Sequence, residues 1–556
     1  MSLFALVLVA RLFFVQVVDG KAYEEQAENQ YITSTQDSFN RGEIFFKEKD
    51  GQLVSAATLK NGFTVAINPT ILKNPDSVYE KISAIYPIDK KIFTERALKT
   101  NDPYEEIGRR VPKDEAYKIN DLGINGLSIH GEKWRFYPAQ NLASHILGFV
   151  GFGANNKISG RYGLEKYYEG VLERSKSSLY VNFFAEIFSN ITKAVLENDY
   201  EREGDLTLNI DPNVEAFLEK ELNGVIQKWS SQSVGGIILD PKTGAVYALG
   251  ALPNFNPNSF QEEKGTKIFS NPIVEDVFEM GSIIKPLVMA AALDARVVTA
   301  ETEYDDKGFV ILNGRRIENF DHKSRGVSSM QRVLNESLNT GMVFVMQRLG
   351  REKFRDYMLS YGIDEETGID LPNEIHGLTS NLESNRDIEY ATASFGQGIA
   401  TTPIETARAL GALGNGGLLV TPQVVSEITY KVGPSKKIYP DEGKRVLKKE
   451  TSEEITRMLV EVVDKALLGG TVKMANYSIA AKTGTAQIAD TVNGGYYEDR
   501  FLHSFFGYFP AYNPRFLIFL YNVYPKEVKY ASQTLTYPFM DIAKFLINYY
   551  EIPPDR

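Results

Sequence analysis

The chain is 556 residues long and 43% hydrophobic, enough for substantial cores in about two to four domains. Its net charge of −11 argues against nucleic acid as the main partner, and the absence of cysteine excludes disulfides and thiolate metal sites. His130, His145, His322, His376 and His503 show no metal-ligand spacing, and nothing else in the sequence suggests a metal or an organic cofactor.

At the N-terminus, Leu3 to Val18 is apolar except for Arg11 and Gln16. A bilayer span needs about 20 residues, so the run is slightly short, and no small-x-small cleavage site follows it. Residues 1–18 are expected to be a membrane anchor whose first turns and cytoplasmic flank lie outside this sequence. Residues 19–205 read as a mixed N-terminal region. Within it, Lys73 to Lys118 is charged and reads as helices with polar faces, and Leu172 to Gly204 as a connection.

Leu206-Thr-Leu-Asn-Ile-Asp211 opens a second domain, 206–556, with a strand, a helix from Pro212 to Leu222, and a hairpin around Lys242. That hairpin is an apolar run, an Asp-Pro…Gly turn and a second apolar run. Its Lys242-Thr243-Gly244 is therefore read as turn chemistry. Phe278-Glu-Met-Gly-Ser282 then leads into Ile-Ile-Lys285-Pro-Leu-Val-Met-Ala-Ala-Ala-Leu, an apolar helix buried in a large domain. Pro286 falls in its first turn, where it is tolerated. Ser282 and Lys285 are i and i+3 and share one face. Free N–H groups and the positive dipole end at the helix start favour an alkoxide and help lower the Lys285 pKa. A desolvated neutral lysine could then take the serine proton.

An all-helical stretch is expected from there to about residue 415. Ser337-Leu-Asn339 lies in it, in or near a short connection between two helical patterns. Ser337 could relay a proton to a leaving group and Asn339 could hold a substrate amide, although both types are also common helix caps. Lys482-Thr483-Gly484-Thr485 alternates as a strand would. Lys482 suits an anionic carboxylate, with Thr483 and Thr485 as donors and Gly484 allowing a substrate backbone to approach. The N–H groups of Ser282 and Thr485 would form an oxyanion hole. Strands over Ile479–Gln487, Ser504–Tyr508 and Arg515–Val523, then a helix near Met540–Tyr550, close the chain. His503 reads as packing, with a place near the cleft as the alternative. Strands at both ends enclosing helices imply an antiparallel sheet with a helical lobe. Ser38-Phe-Asn40 repeats the second pattern, as Lys242-Thr-Gly244 repeats the third. Only the set at 282, 337 and 482 agrees in order, spacing and flanks. It equips a serine acyl-transfer site that uses no histidine.

The three motifs resemble those of penicillin-binding proteins and serine β-lactamases. Asn40-Arg-Gly-Glu-Ile-Phe-Phe with Asp50-Gly51, Arg135-Phe-Tyr-Pro138 with His145-Ile-Leu-Gly-Phe-Val-Gly151, and Gly160-Arg-Tyr-Gly-Leu-Glu165 with Tyr168 resemble the non-catalytic motifs of class B penicillin-binding proteins, the monofunctional peptidoglycan D,D-transpeptidases. Phe395-Gly-Gln-Gly398 with Thr402-Pro403, Asn415-Gly-Gly417 and His503-Ser-Phe-Phe-Gly-Tyr-Phe-Pro510 extend the likeness. Met280 stands where the family usually has Pro, Ala481 where it has Gly, and the first motif is longer; no catalytic atom is lost.

The resemblance implies an α+β multidomain chain: an elongated non-catalytic pedestal and a penicilloyl-serine transferase domain. It implies one transmembrane helix in the bacterial cytoplasmic membrane, with the catalytic domain on the extracytoplasmic side. It implies stem peptides and lipid II-derived glycan strands as substrates, acylation by β-lactams, and a polytopic lipid II polymerase and division proteins as partners. Asn in the second motif and the spacing from Tyr496 to His503 look more like the division type than the elongation type. A D,D-carboxypeptidase or β-lactamase, and a non-enzymatic β-lactam sensor or divisome scaffold, are the alternatives.

Overall fold

A computed structural model describes residues 39–153, 157–174, 202–490 and 492–556. The expected anchor at 1–18 and Ser38 of the second SxN lie outside these residues. Among the described residues no helix is long and apolar enough to cross a membrane.

The described chain forms two compact units. The smaller holds Thr58–Phe136. Its ladder pairs Thr58–Ile67 antiparallel with Leu127–Phe136, and the outer half of the first strand also pairs with Glu105–Val111. Helices Pro75–Ser83, Lys90–Ala97 and Lys113–Asn120 present one apolar stripe each, and Val78, Ile82, Phe93, Ala116 and Ile119 close a core over Val65, Ile67, Ile107 and Val111. The charged stretch at 73–118 is thus helical as expected, but a strand interrupts it.

The larger unit contains 206–556 and also Gly42–Ala57 and Tyr137–Glu173, which the sequence alone assigns to the N-terminal region. The reason is pairing. Ile44–Lys47 runs parallel to Gly204–Leu208, which in turn pairs antiparallel with Val425–Tyr430.

The larger unit is organised by a five-stranded antiparallel sheet. Its strands are β1 (Ser233–Leu239), β2 (Val246–Leu252), β3 (Ala480–Ala489), β4 (Tyr496–Phe509) and β5 (Phe516–Val523), in the order β3-β4-β5-β1-β2. β1 and β2 are the arms of the Lys242 hairpin, and Lys242 is exposed at its turn, as expected. The central strand β5 is buried at all its positions, so it reads as a continuous apolar run rather than an alternation. Helices α1 (Pro212–Trp229) and α5 (Thr536–Tyr549) cover one face, where Leu218, Leu222, Val225, Phe539, Ala543 and Leu546 meet Val234, Ile238, Phe505 and Ile518.

On the other face lies the helical lobe, centred on α2 (Lys285–Asp294), with α3 (Asn339–Leu349) and α4 (Lys449–Glu461) among the helices that contribute to the same core. Nine of the ten α2 residues are buried, which is why its sequence is apolar on every side. The lobe is not all helical. Glu303–Asp306 pairs with Gly326–Ser329, and Phe309–Leu312 with Arg315–Glu318. The second pair turns through Asn313-Gly314, both at positive φ (45° and 74°), the Asn-Gly signature of a tight hairpin. That dipeptide was legible in the sequence and outweighs the helical pattern around it.

Candidate active site

Ser282 sits in a 3-10 turn, Gly281–Ile283, immediately before α2. The turn is held from three sides. Gly281 has φ +63°, and a Cβ on it would lie 2.8 Å from the Thr485 carbonyl oxygen of β3. Its N–H donates to the Gly396 carbonyl at 3.0 Å, and a Cβ on Gly396 would collide with the Gly281 carbonyl. The Ser504 hydroxyl on β4 donates to the Met280 carbonyl at 2.7 Å. Phe395-Gly-Gln-Gly398 therefore abuts the nucleophile turn backbone to backbone. Ser282 itself is half-buried and its hydroxyl makes no hydrogen bond with a described residue.

Lys285 is fully buried at the start of α2. Its Nζ donates to the Ser337 carbonyl (2.6 Å), the Ser337 hydroxyl (3.2 Å) and Asn339 Oδ1 (2.8 Å). Every partner is neutral. Burial, and second the charge of Lys482, hold its pKa well below that of an ordinary lysine. Desolvation thus favours loss of its proton.

Ser337 occupies the three-residue connection between the helix Met330–Asn335 and α3. Its φ of +55° is uncommon for a residue with a Cβ. In this conformation both its carbonyl and its hydroxyl are on Lys285. Sequence carries no sign of that twist.

Asn339 was expected to hold a substrate amide. Its oxygen instead accepts from Lys285, and its Nδ2 donates to the Glu318 carbonyl at 2.9 Å, leaving one N–H for a ligand. The side chain thus orients the lysine first.

Lys482, only 3% exposed, donates from Nζ to the Ser337 hydroxyl and to the Thr483 carbonyl, both at 3.0 Å. Burial lowers its pKa to about 7. The sequence reading assigns it a substrate carboxylate; burial makes it in addition a group that titrates at neutral pH. Ser337 Oγ therefore bridges two buried amines.

Thr483 and Thr485 are half-buried on β3. The Thr483 hydroxyl has no partner among the described residues, whereas Thr485 Oγ1 accepts the Ala531 N–H at 3.1 Å and keeps its own proton to donate. Gly484 has a packing role beside the expected one. Strand alternation puts it on the inner face with Lys482, where a Cβ would lie 2.6 Å from the Met280 carbonyl and would also strike Ser504 Oγ. Its missing side chain admits the nucleophile turn.

His503 faces Thr485 in the β3–β4 register and is buried. Burial depresses its pKa to about 4, so the ring is neutral. Nε2 lies 3.0 Å from the Lys529 carbonyl, which can only accept, so the proton is on Nε2 and Nδ1 accepts from the Thr534 hydroxyl at 2.9 Å. The ring tethers the segment whose Ala531 reaches Thr485. It is packing with a positional consequence.

Residues 234–543 match the penicillin binding protein transpeptidase domain, and residues 37–191 the penicillin-binding protein dimerisation domain. Stage V sporulation protein D of Bacillus subtilis is 30% identical over 543 residues, covering 96% of this chain and 82% of that protein. The peptidoglycan D,D-transpeptidase FtsI of Escherichia coli is 28% identical over 456 residues, covering 81% of this chain and 73% of its own. The crystal structure of penicillin binding protein 2X from Streptococcus thermophilus superimposes with a TM-score of 0.74 at 18% identity, over 93% of this chain and 81% of that one, which shows the shared fold. With a transpeptidase domain over more than half its length and a relative 30% identical along nearly all of it, this chain belongs to the class B penicillin-binding proteins, the serine-type peptidoglycan D,D-transpeptidases.

Proposed function

We propose that the protein cross-links peptidoglycan stem peptides through an acyl-enzyme on Ser282. The observation that carries this reading is the fully buried Lys285, whose pKa burial holds well below that of an ordinary lysine, one turn after a serine whose hydroxyl is unengaged. Lys285 takes the Ser282 proton as Oγ attacks the penultimate D-Ala carbonyl of a donor stem. The N–H groups of Ser282 and Thr485 receive the oxyanion. Ser337 passes a proton to the departing D-Ala nitrogen and is refilled from Lys482, with which it shares a hydrogen bond. Until that transfer, protonated Lys482 holds the donor's terminal carboxylate together with Thr483 and Thr485. An amine of a second stem then attacks the ester, its proton returns through Ser337 to Lys482, an amide forms, and Ser282 recovers its proton from Lys285. β-Lactams acylate the same oxygen because they present a strained amide and a carboxylate in the same relation.

The test is mass spectrometry with peptide mapping after exposure to a fluorescent penicillin. A stable adduct on Ser282, absent from Ser282→Ala, is expected. An adduct that forms and is rapidly hydrolysed would instead indicate a carboxypeptidase or β-lactamase outcome, and no adduct would overturn the reading.

The role is placed in septal wall synthesis, with a polytopic lipid II polymerase and division proteins as partners. Anchoring is by the apolar segment within residues 1–18, single-pass, with the catalytic unit outside the cytoplasmic membrane. Support comes from FtsI-named relatives along most of the chain. A sporulation-stage role is the second reading, favoured by the relative of that name at 30% identity. Depletion separates them: filaments without septa mark the first, and normal growth with defective spores marks the second. Partition of the full-length product into the soluble fraction would refute the anchor.

A further inference from the structure

The first turn of α3 carries Asn339 to Lys285, yet α3 does not cap itself. Its N-cap is Leu338, whose side chain has no acceptor. A capping side chain would take the N–H of the second or third helical residue. Here the second residue, Thr340, donates its N–H to Asn319 Oδ1 at 3.2 Å, an acceptor 21 residues upstream. Asn319 is 1% exposed and directly follows the hairpin strand Arg315–Glu318. Its Nδ2 donates to the two oxygens of Asp306 at 3.1 and 3.0 Å and to the Lys323 carbonyl at 3.2 Å. Asp306 is equally buried, and it also accepts from the Gly308 N–H at 2.9 Å and the Thr340 hydroxyl at 2.8 Å. Every one of these donors is neutral. Burying a carboxylate among neutral donors is costly, so the arrangement calls for a reason.

Asp306, Asn319 and Thr340 have no part in the proton path above, but the residues beside them do. Glu318, before Asn319, accepts the Asn339 Nδ2 on its carbonyl at 2.9 Å. Asn339, before Thr340, accepts from Lys285 on its Oδ1 at 2.8 Å. Two adjacent rungs therefore join the hairpin end to α3: Glu318 to Asn339, and Asn319 to Thr340. Asp306 is bonded to both ends of the second rung. A carbonyl can only accept, so the Glu318 rung decides which end of the Asn339 amide faces Lys285. One bond alone would leave that amide free to pivot; the second rung fixes the backbone on either side of it.

We propose that Asn319, held by Asp306, is a positioning residue for the lysine base: it fixes the Glu318 carbonyl and the first turn of α3, and so aims Asn339 Oδ1 at Lys285. The inference rests on the acyl-enzyme reading and adds to it residues that act on Lys285 without touching it.

The experiment is single-turnover acylation by benzylpenicillin, which separates the limiting rate constant from the apparent affinity. Asn319→Asp sets a carboxylate against Asp306. It should lower the limiting rate constant about 10- to 100-fold, the cost of a displacement on the order of 1 Å, with the apparent affinity within about twofold of wild type. Adding Asp306→Asn restores donor against acceptor with the two residue types exchanged. Lys323 is exposed, so water serves its carbonyl, and the rate constant should return to within about threefold of wild type. In an Asn339→Ala background, Asn319→Asp should cost less than about twofold more, because the group it positions is gone. A residue that only stabilised the lobe would not show this dependence on Asn339. Misfolded protein lowers the amplitude of labelling and leaves the rate constant of the remaining sites; if Asn319→Asp takes no label, the exchanged pair must restore it. A wild-type rate in Asn319→Asp, a loss confined to affinity, losses that multiply with Asn339→Ala, or no recovery in the exchanged pair would each overturn the proposal. Failure of penicillin to label Ser282 in wild type strikes the acyl-enzyme reading itself, so the two failures are told apart.

Discussion

Lys482 makes the pH dependence of acylation a direct test of the site. Its pKa of about 7 comes from burial, and its cationic form is the one that holds a carboxylate. At pH 6 about nine-tenths of the free protein carries that charge, at pH 7 about half, and at pH 8 about one-tenth. The second-order rate constant for acylation by benzylpenicillin should therefore drop about fivefold from pH 7 to pH 8, and about tenfold per unit above that. Lys285 is the base in the same step, and burial holds its pKa well below an ordinary lysine's. Lys482→Arg keeps the charge at every accessible pH, because a guanidinium does not deprotonate. That variant should be slower, since arginine fits the Ser337 hydroxyl and Thr483 carbonyl poorly, but its alkaline limb should vanish. The assay is stopped-flow quenching of intrinsic fluorescence or gel-resolved labelling from pH 6 to pH 9.5. A flat wild-type profile, or an alkaline limb that survives in Lys482→Arg, would refute the assignment of the limb to Lys482.

The same lysine should couple stability to pH. An unfolded lysine binds a proton up to about pH 10.4, whereas folded Lys482 releases it near 7, so the unfolded state holds more protons between those values and stability rises with pH across the window. Relative to Lys482→Met, wild type should gain roughly 3 kcal/mol between pH 7 and pH 9.5 in urea denaturation, and a constant difference would contradict the burial argument. Gly484→Ala places a carbon against the Met280 carbonyl and Ser504 Oγ, so it should lose penicillin labelling by at least tenfold and lower thermal stability; full labelling would mean that the turn does not pack as described. Asn339→Ala removes an acceptor from Lys285 and should slow acylation by about 10- to 100-fold with little change in the apparent affinity for penicillin, whereas a pure affinity loss would make Asn339 a substrate ligand after all.

Much of this site is visible as letters. Ser282 and Lys285 are one helical turn apart, and the apolar run after them forces burial wherever the helix lies, so a lysine with a lowered pKa follows from local sequence alone. The alternation at 480–487 indicates a strand, and the Asp-Pro…Gly turn removes Lys242 from consideration. The Asn313-Gly314 hairpin was equally legible but was lost in a stretch that otherwise reads as helix. The packing of the nucleophile turn on Gly484 was not legible, because a glycine in a strand says only that something comes close, and not what.

By itself the amino-acid sequence determined the chemistry on offer: which hydroxyls, amines and amides exist, and which local elements carry them, because helix and strand periodicity are properties of neighbouring residues. Tertiary structure decided what those groups are. Lys482 is a titrating group rather than a fixed charge because burial, which no local pattern reports, takes away its water. Asn339 orients a lysine because the Glu318 carbonyl, 21 residues upstream, takes its amide. Ser337 bridges two amines because a left-handed backbone twist turns it toward Lys285 while β3 brings Lys482 from 145 residues away. Distance along the chain carries no information about proximity in space, and pKa values and hydrogen-bond partners depend on proximity.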